Sequence, residues 1–281
     1  MSRRWFLLAA TSLCVACPAG TTTPPRVAQA QAQAEIVALR IRIAKAEARR
    51  AGGVDELIEL ATHGGPPERL LALRGLGRIG VAGGARPVAT LVAALGDPDP
   101  GVIGAAAGAL GVAASLDDGD LGVTDALIAA LPRGGGLVIE ALGRAGTAVA
   151  QPALAQALAD PKLAELAGLA LGRHGRRKIE LAESSRGALI EAAASTDPEV
   201  RYAAVYALAR EHQPPEHPAA VAALVGRLGD PVPEIRAQAI AGLGRRKAIA
   251  SARGTWSVID CGCARRGHHG PRIPTTTTRS R

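Results

Sequence analysis

The sequence predicts an all-α fold, an α-solenoid in which about six helix pairs stack into a right-handed superhelix. Two sequence markers recur with a shared period. Leu-Gly or its equivalent returns every 29 to 37 residues, beginning at Leu76, Leu110, Leu142, Leu171, Leu208 and Leu243. Asp-Pro follows a similar spacing, at Asp97, Asp160, Asp197 and Asp230. Aromatic residues make up only 2% of the chain, whereas a compact globular core usually buries several large rings.

Each period has the pattern of a first helix (helix A), a tight turn and a second helix (helix B). In the last period, apolar residues at 221, 224, 225 and 228 form one helical face. The Gly-Asp-Pro at 229–231 then ends helix A, because glycine favours a helix C-terminus and proline cannot continue the hydrogen-bond ladder. We expect six such units within residues 53–250.

The B helices carry a string that resembles the bacterial HEAT-repeat family, whose units read D-P-x-V-R-x-x-A-x-x-A-L-G. The match is close over residues 197–208 (DPEVRYAAVYAL) and weakest around residues 131–143, where three glycines replace Asp-Pro. The resemblance implies that Asp197 and Arg201 belong to a structural Asp–Arg ladder between neighbouring units. In such an array the B helices line a concave surface that can hold an extended partner.

The N-terminus has the layout of an export signal. Residues 1–16 combine Arg3 and Arg4 with a short apolar run, too short to span a membrane. Cys17 follows a small residue and resembles the lipidated cysteine of a bacterial lipoprotein, so we expect a lipoprotein or periplasmic protein of the cell envelope. Cleavage after the A-Q-A at 28–30 is the alternative, and twin-arginine export remains open beside the general secretory route. Residues 17–34 are then a low-complexity tether, and residues 35–52 a capping helix.

The net charge of +8 lies at the two ends of the chain. Between residues 35 and 250 there are 24 Lys and Arg against 24 Asp and Glu, a balance of zero. Nucleic-acid-binding domains place basic residues on a folded face, often beside stacking rings, and Tyr202 and Tyr206 are the only rings in this part. We therefore expect a protein partner of unknown identity, no nucleic acid, and a monomer that meets the membrane only through a lipid anchor.

A Leu-Gly-Arg triplet recurs where the B helices end. Its arginines have two interpretations: a row displayed for an acidic partner, or cations placed favourably at helix C-termini. We favour the second, because that placement requires no partner. The residues concerned are Arg78, Arg144, Arg173 and Arg245.

No catalytic, cofactor-binding or metal-binding residues are predicted, and we expect no enzymatic activity. The two Glu-His pairs at 211–212 and 216–217 lack the matching second half that a metal site requires, so we interpret this loop as a solvated linker. Cys261 and Cys263 with the histidines at 268–269 have poor spacing for zinc.

Residues 251–281 form a basic tail that departs from the preceding composition, as a frameshift or a truncated gene would produce. The predicted function is a non-catalytic protein-binding scaffold of the bacterial cell envelope, with its partner on the concave face. The alternative is the scaffold portion of a HEAT-repeat envelope enzyme, such as a prolyl isomerase fusion, whose catalytic domain is missing.

Overall fold

A computed structural model describes residues 25–113, 122–211 and 217–246. All regular structure in these residues is helical, with short 3₁₀ turns at Arg50–Gly53, Gly80–Gly83 and Ala148–Ala150. The twelve α-helices of the described residues are α1 Pro25–Ala48, α2 Val54–His63, α3 Pro66–Ile79, α4 Ala85–Ala94, α5 Pro100–Ala113, α6 Val123–Ala145, α7 Gln151–Ala157, α8 Ala164–Arg176, α9 Glu183–Ala192, α10 Pro198–Arg210, α11 Pro218–Gly226 and α12 Pro233–Arg245.

The chain divides into two compact units, residues 1–42 and residues 43–281. In the first unit the structure describes the part of α1 that precedes residue 43, where Val37 and Ile41 are about half exposed. Helix α1 begins at Pro25, ten residues before the predicted start of the capping helix. The reason is local, since the Ala and Gln of residues 28–34 are good helix formers even though they cannot build a core.

The described residues of the second unit form an α-solenoid of six helix pairs, which confirms the predicted fold class. The pairs are α2/α3, α4/α5, the two halves of α6, α7/α8, α9/α10 and α11/α12. The B helices pack in sequence order: α3 on α5, α5 on α6, α6 on α8, α8 on α10 and α10 on α12. Each unit therefore buries its apolar side against the next one, as in other repeat proteins.

Helix α6 contains both helices of the third unit. Its backbone leaves the helical region at Gly135, which has a positive φ of 51° that a residue with a Cβ rarely adopts. The three glycines thus supply the turn that Asp-Pro supplies elsewhere. Of the described helices, α6 alone is long and apolar enough to cross a membrane. However, α6 is interrupted at Gly135 and packs on α5 and α8. We therefore assign α6 to the solenoid, where it forms the third unit.

Two glycines of the Leu-Gly marker, Gly77 and Gly143, lie where neighbouring B helices approach each other closely. A Cβ added to Gly77 would lie 2.7 Å from the Cα of Ala109, and one added to Gly143 would lie 2.7 Å from the Cα of Ala170. Contacts this short leave no room for a side chain. The preceding leucines, such as Leu76 and Leu142, are fully buried. At these two positions the marker therefore combines a buried leucine with a close backbone contact.

Candidate functional site

The exposed side of the B helices, which we call the B-helix face, contains an open groove of about 500 Å³ between α3, α5 and α6. Its floor is made of small residues, because Gly101, Gly104 and Gly108 follow one another along α5. Two large apolar side chains stand exposed in it, Val112 at 40% and Leu137 at 53%. The groove therefore offers exposed apolar surface to a partner.

Two arginines line the same groove. Arg74 and Arg78 lie on successive turns of α3 and are both exposed. Nη1 of Arg78 donates to Oε1 of Glu47 at 2.9 Å, yet the Arg78 side chain remains 64% exposed. The groove thus combines an apolar floor with basic groups that stay in contact with water.

The predicted arginine row makes contacts inside the protein. Arg144 pairs with Glu140, and Nη2 of Arg173 lies 3.6 Å from Oε1 of the same carboxylate. Arg245 donates to the backbone oxygen of Ala209 in the preceding unit. Together with Arg78, all four predicted residues therefore contact a carboxylate or a backbone carbonyl within the protein.

Arg210 occupies the equivalent place in the fifth unit, and the sequence search omitted it. Its triplet reads Leu-Ala-Arg at 208–210, so a search for Leu-Gly-Arg does not find it. The guanidinium carbon of Arg210 lies 5.4 Å from the ring centroid of Tyr206, a cation–π distance. The rings of Tyr202 and Tyr206 stack with centroids 6.2 Å apart. The B-helix face thus carries an aromatic and basic patch on α10.

The Asp–Arg ladder joins the fifth and sixth units, although Asp197 is not part of it. Nε of Arg201 donates to Oδ2 of Asp230 at 2.9 Å, and its Nη2 donates to Oδ1 at 3.2 Å. The ion pairs and hydrogen bonds lower the pKa of Asp230, although desolvation opposes them as the largest single effect. Asp197 instead caps α10, accepting from the backbone N–H of Glu199 at 2.9 Å.

The interpretation of residues 211–217 as a solvated linker is wrong for Glu211, which is 4% exposed. Its Oε1 accepts from Nε and Nη2 of Arg186 at 2.9 and 2.7 Å, and its Oε2 accepts from Arg246. Burial lowers the pKa of Arg246, while the Glu211 carboxylate opposes that change. We call Arg186, Glu211 and Arg246 the buried ion cluster; it ties α9 to the ends of α10 and α12.

His217 also has a structural role, and the remaining two residues of that pattern, His212 and Glu216, lie outside the described residues. Nδ1 of His217 caps α11 by accepting from the N–H of Ala220 at 3.2 Å, so Nε2 carries the hydrogen. That Nε2 donates to Oε1 of Glu183 at 2.9 Å. This hydrogen bond is the largest of the effects that lower the pKa of Glu183.

His174 is fully buried and links the third and fourth units. Its Nε2 lies 3.0 Å from the backbone oxygen of Leu142, whereas Nδ1 has no hydrogen-bond partner. Desolvation lowers the pKa of His174 to about 4, and the bond to Leu142 opposes that effect. The neutral ring therefore donates from Nε2 to a helix-end carbonyl at neutral pH.

No group of three or more His, Cys, Asp or Glu that could hold a metal ion occurs in residues 25–113, 122–211 and 217–246. The lipidation residue Cys17 lies outside these ranges. So do the tail residues Cys261, Cys263, His268 and His269.

Comparison with known proteins bears on the last units. Residues 186–253 match the family model of HEAT repeats. No curated protein matches the chain. Among solved structures, an engineered protein is 22% identical over 77% of this chain and 91% of its own length, with a TM-score of 0.36. The fold assignment depends on the observed helices, and the family match supports HEAT repeats at residues 186–253.

Proposed function

We propose that this chain is a non-catalytic scaffold of the bacterial cell envelope that holds an extended protein partner along its B-helix face. One observation carries the proposal. Val112 and Leu137 stand 40% and 53% exposed in a groove of about 500 Å³, beside Arg74 and Arg78. Clustered exposed apolar residues with a polar rim are typical of interaction sites.

The arginines and tyrosines add to the same surface. The cation–π pair of Arg210 and Tyr206 on α10 resembles the aromatic and arginine anchors that dominate many protein interfaces. The arginine row leaves more basic than acidic groups along this face, because the single carboxylate of Glu140 serves both Arg144 and Arg173. A partner with apolar side chains and some acidic residues fits this combination.

The test is an affinity capture from envelope extract with three forms of the chain. Leu137→Glu places a charge in the groove and is expected to abolish capture of the proteins that the unmodified chain retains. Val149→Glu is the matched control, because Val149 is 61% exposed in a 3₁₀ turn between units, away from the groove. Capture that is unchanged by Leu137→Glu would contradict the proposed binding surface.

The envelope location is tested separately, because it depends on Cys17 and not on the groove. We expect labelled palmitate to be incorporated into the chain and to be lost in Cys17→Ala. An unlabelled chain recovered from the periplasm would instead favour the alternative cleavage site, and a chain retained in the cytoplasm would contradict export.

A further inference from the structure

Two arginines of the B-helix face, Arg173 on α8 and Arg210 on α10, occupy the same place in consecutive units. Neither guanidinium group is hydrogen-bonded to a residue that the structure describes, and Nη1 of Arg173 and Nε of Arg210 are buried without a partner. Nη2 of Arg173 lies 3.6 Å from the carboxylate of Glu140, which already pairs with Arg144. Buried donors without a partner cost free energy, so both side chains call for an explanation.

The ring of Tyr206 connects the two arginines. A Cβ added to Gly172 would lie 2.5 Å from Cδ1 of Tyr206, so this ring lies against the backbone beside Arg173. The guanidinium carbon of Arg210 lies 5.4 Å from the centroid of the same ring. A Cβ added to Gly175 would lie 2.8 Å from the carbonyl carbon of Arg210, so the ends of α8 and α10 are in close contact. We call Arg173, Tyr206 and Arg210 the arginine–tyrosine site.

The acidic residues of the same two helices lie at their other ends. Glu165 is in the first turn of α8 and Glu199 in the first turn of α10, whereas Arg173 and Arg210 are in the last turns. The two separations along the helix axes are about 12 and 17 Å. Both exceed the Debye length of about 8–10 Å, so these carboxylates do not neutralise the arginines. The charge at the arginine–tyrosine site is therefore available to a ligand.

We propose that the arginine–tyrosine site binds the carboxylate of an Asp or Glu side chain on the extended protein partner. This assignment rests on the proposed function, because it names the chemical class of one group on that partner. The planar guanidinium group presents paired N–H donors that match the two oxygens of a carboxylate. Such a side chain would give Arg173 and Arg210 the hydrogen bonds that the described residues do not supply.

The packing of the units sets the distance between this site and the apolar groove. The groove lies between α3, α5 and α6, and the arginine–tyrosine site lies between α8 and α10. The B helices pack in sequence order, and packed helix axes are about 8–10 Å apart. The two sites are therefore about 20–25 Å apart, a length that six to eight residues of extended chain cover at about 3.3 Å each. We expect the partner to carry an apolar residue and an acidic residue with that spacing.

Two fluorescein-labelled peptides test this inference by fluorescence anisotropy with the full chain. Both carry a pair of leucines, followed about seven residues later by a pair of aspartates in one peptide and a pair of asparagines in the other. The unmodified chain should bind the aspartate peptide about tenfold more tightly, because a charged hydrogen bond contributes at least that much affinity. Equal binding of the two peptides, or no binding of either, would overturn the inference without any variant being made.

Variants of the chain locate the effect. The double variant Arg173→Gln, Arg210→Gln should bind the two peptides equally, at the affinity that the unmodified chain has for the asparagine peptide. Lys162→Gln, Arg40→Gln is the matched control, because it removes the same charge from two exposed positions elsewhere and should keep the tenfold preference. Circular dichroism checks that both variants keep their helices. A preference for aspartate that survives in the arginine double variant would overturn the inference.

An oligothymidylate is the competing ligand, because arginines beside the stacked rings of Tyr202 and Tyr206 could also hold a single-stranded nucleic acid. It should bind more weakly than the aspartate peptide at the same salt concentration, since the acidic starts of α8 and α10 repel a long polyanion. Tighter binding of the oligothymidylate would overturn the choice of a protein carboxylate. The proposed function is judged separately, since capture that is lost in Leu137→Glu requires no acidic residue on the partner.

Discussion

Replacement of Glu211 by alanine is the most direct test of how the fifth and sixth units are held together. The Glu211 side chain is 1% exposed and accepts hydrogen bonds from two arginines, whose own side chains are 7% and 3% exposed. Without the carboxylate, the guanidinium group of Arg246 remains buried beside that of Arg186, and the carboxylate that still pairs with Arg186 is the exposed Glu183. Glu211→Ala therefore removes one partner of a buried ion pair and leaves the other partner buried. This kind of change lowers the free energy of unfolding strongly.

The expected loss is about 3–5 kcal/mol, the range measured when one partner of a buried pair is deleted. That loss is a large part of the roughly 5–15 kcal/mol that stabilises a typical domain. Because stability in a repeat array is local, we expect the sixth unit to unfold first. Replacing the whole cluster by Arg186→Met, Glu211→Leu and Arg246→Met should recover most of the loss, since no buried charge is then left unpaired.

Urea unfolding followed by circular dichroism measures the loss, and amide hydrogen exchange shows which helices open. Glu191→Ala is the matched control, because Glu191 lies exposed on the same helix as Arg186 and its substitution should change stability by less than about 0.5 kcal/mol. A loss below about 1 kcal/mol for Glu211→Ala, the size of an ordinary surface effect, would refute the proposed role of the cluster.

Two further predictions concern the junctions between units. Gly143→Ala places a Cβ 2.7 Å from the Cα of Ala170 and should destabilise the chain by about 1–3 kcal/mol. Gly244→Ala, in open space, should stabilise α12 by up to about 1 kcal/mol through helix propensity; equal urea midpoints for the two variants would contradict this reasoning. The pKa of His174 is lowered to about 4 in the folded chain. As the pH falls, His174 is therefore protonated in the unfolded chain before it is protonated in the folded chain. We expect about 3 kcal/mol of stability to be lost between pH 6.5 and 4. The stability gap between the unmodified chain and His174→Gln should therefore narrow over that range, and parallel pH curves would show that His174 is not the group responsible.

The repeat plan was predictable because it depends on local chemistry. A leucine followed by a small residue recurs at a fixed place in the B helices; the leucine is buried, and the repetition is visible in the sequence as a period. The turn at Gly135 was harder to recognise, because a glycine with a positive φ forms the turn there, whereas Asp-Pro forms it elsewhere. The early start of α1 at Pro25 was missed because composition indicates whether a segment can build a core, and not whether it is helical.

The buried ion cluster was not predictable from the loop that contains Glu211. Its partners lie 25 and 35 residues away in sequence, so only the stacking of units brings them together. One signal was present nevertheless. Arg186 lies three residues before the buried Leu189, on the inward side of α9, and a charge at an inward position requires a buried partner. A search for charges on the apolar face of each helix would have found this residue.

The junction between the fifth and sixth units contains more buried charge than the earlier ones. The first junction has one half-buried ion pair, between Arg69 and Asp97, whereas this one has two buried carboxylates, Glu211 and Asp230, each held by arginine. Such pairs contribute little net stability, because desolvation offsets their attraction, but each is satisfied in one geometry only. The two pairs lie on different elements, since Asp230 precedes α12 and Arg246 follows it. Together they fix both ends of α12.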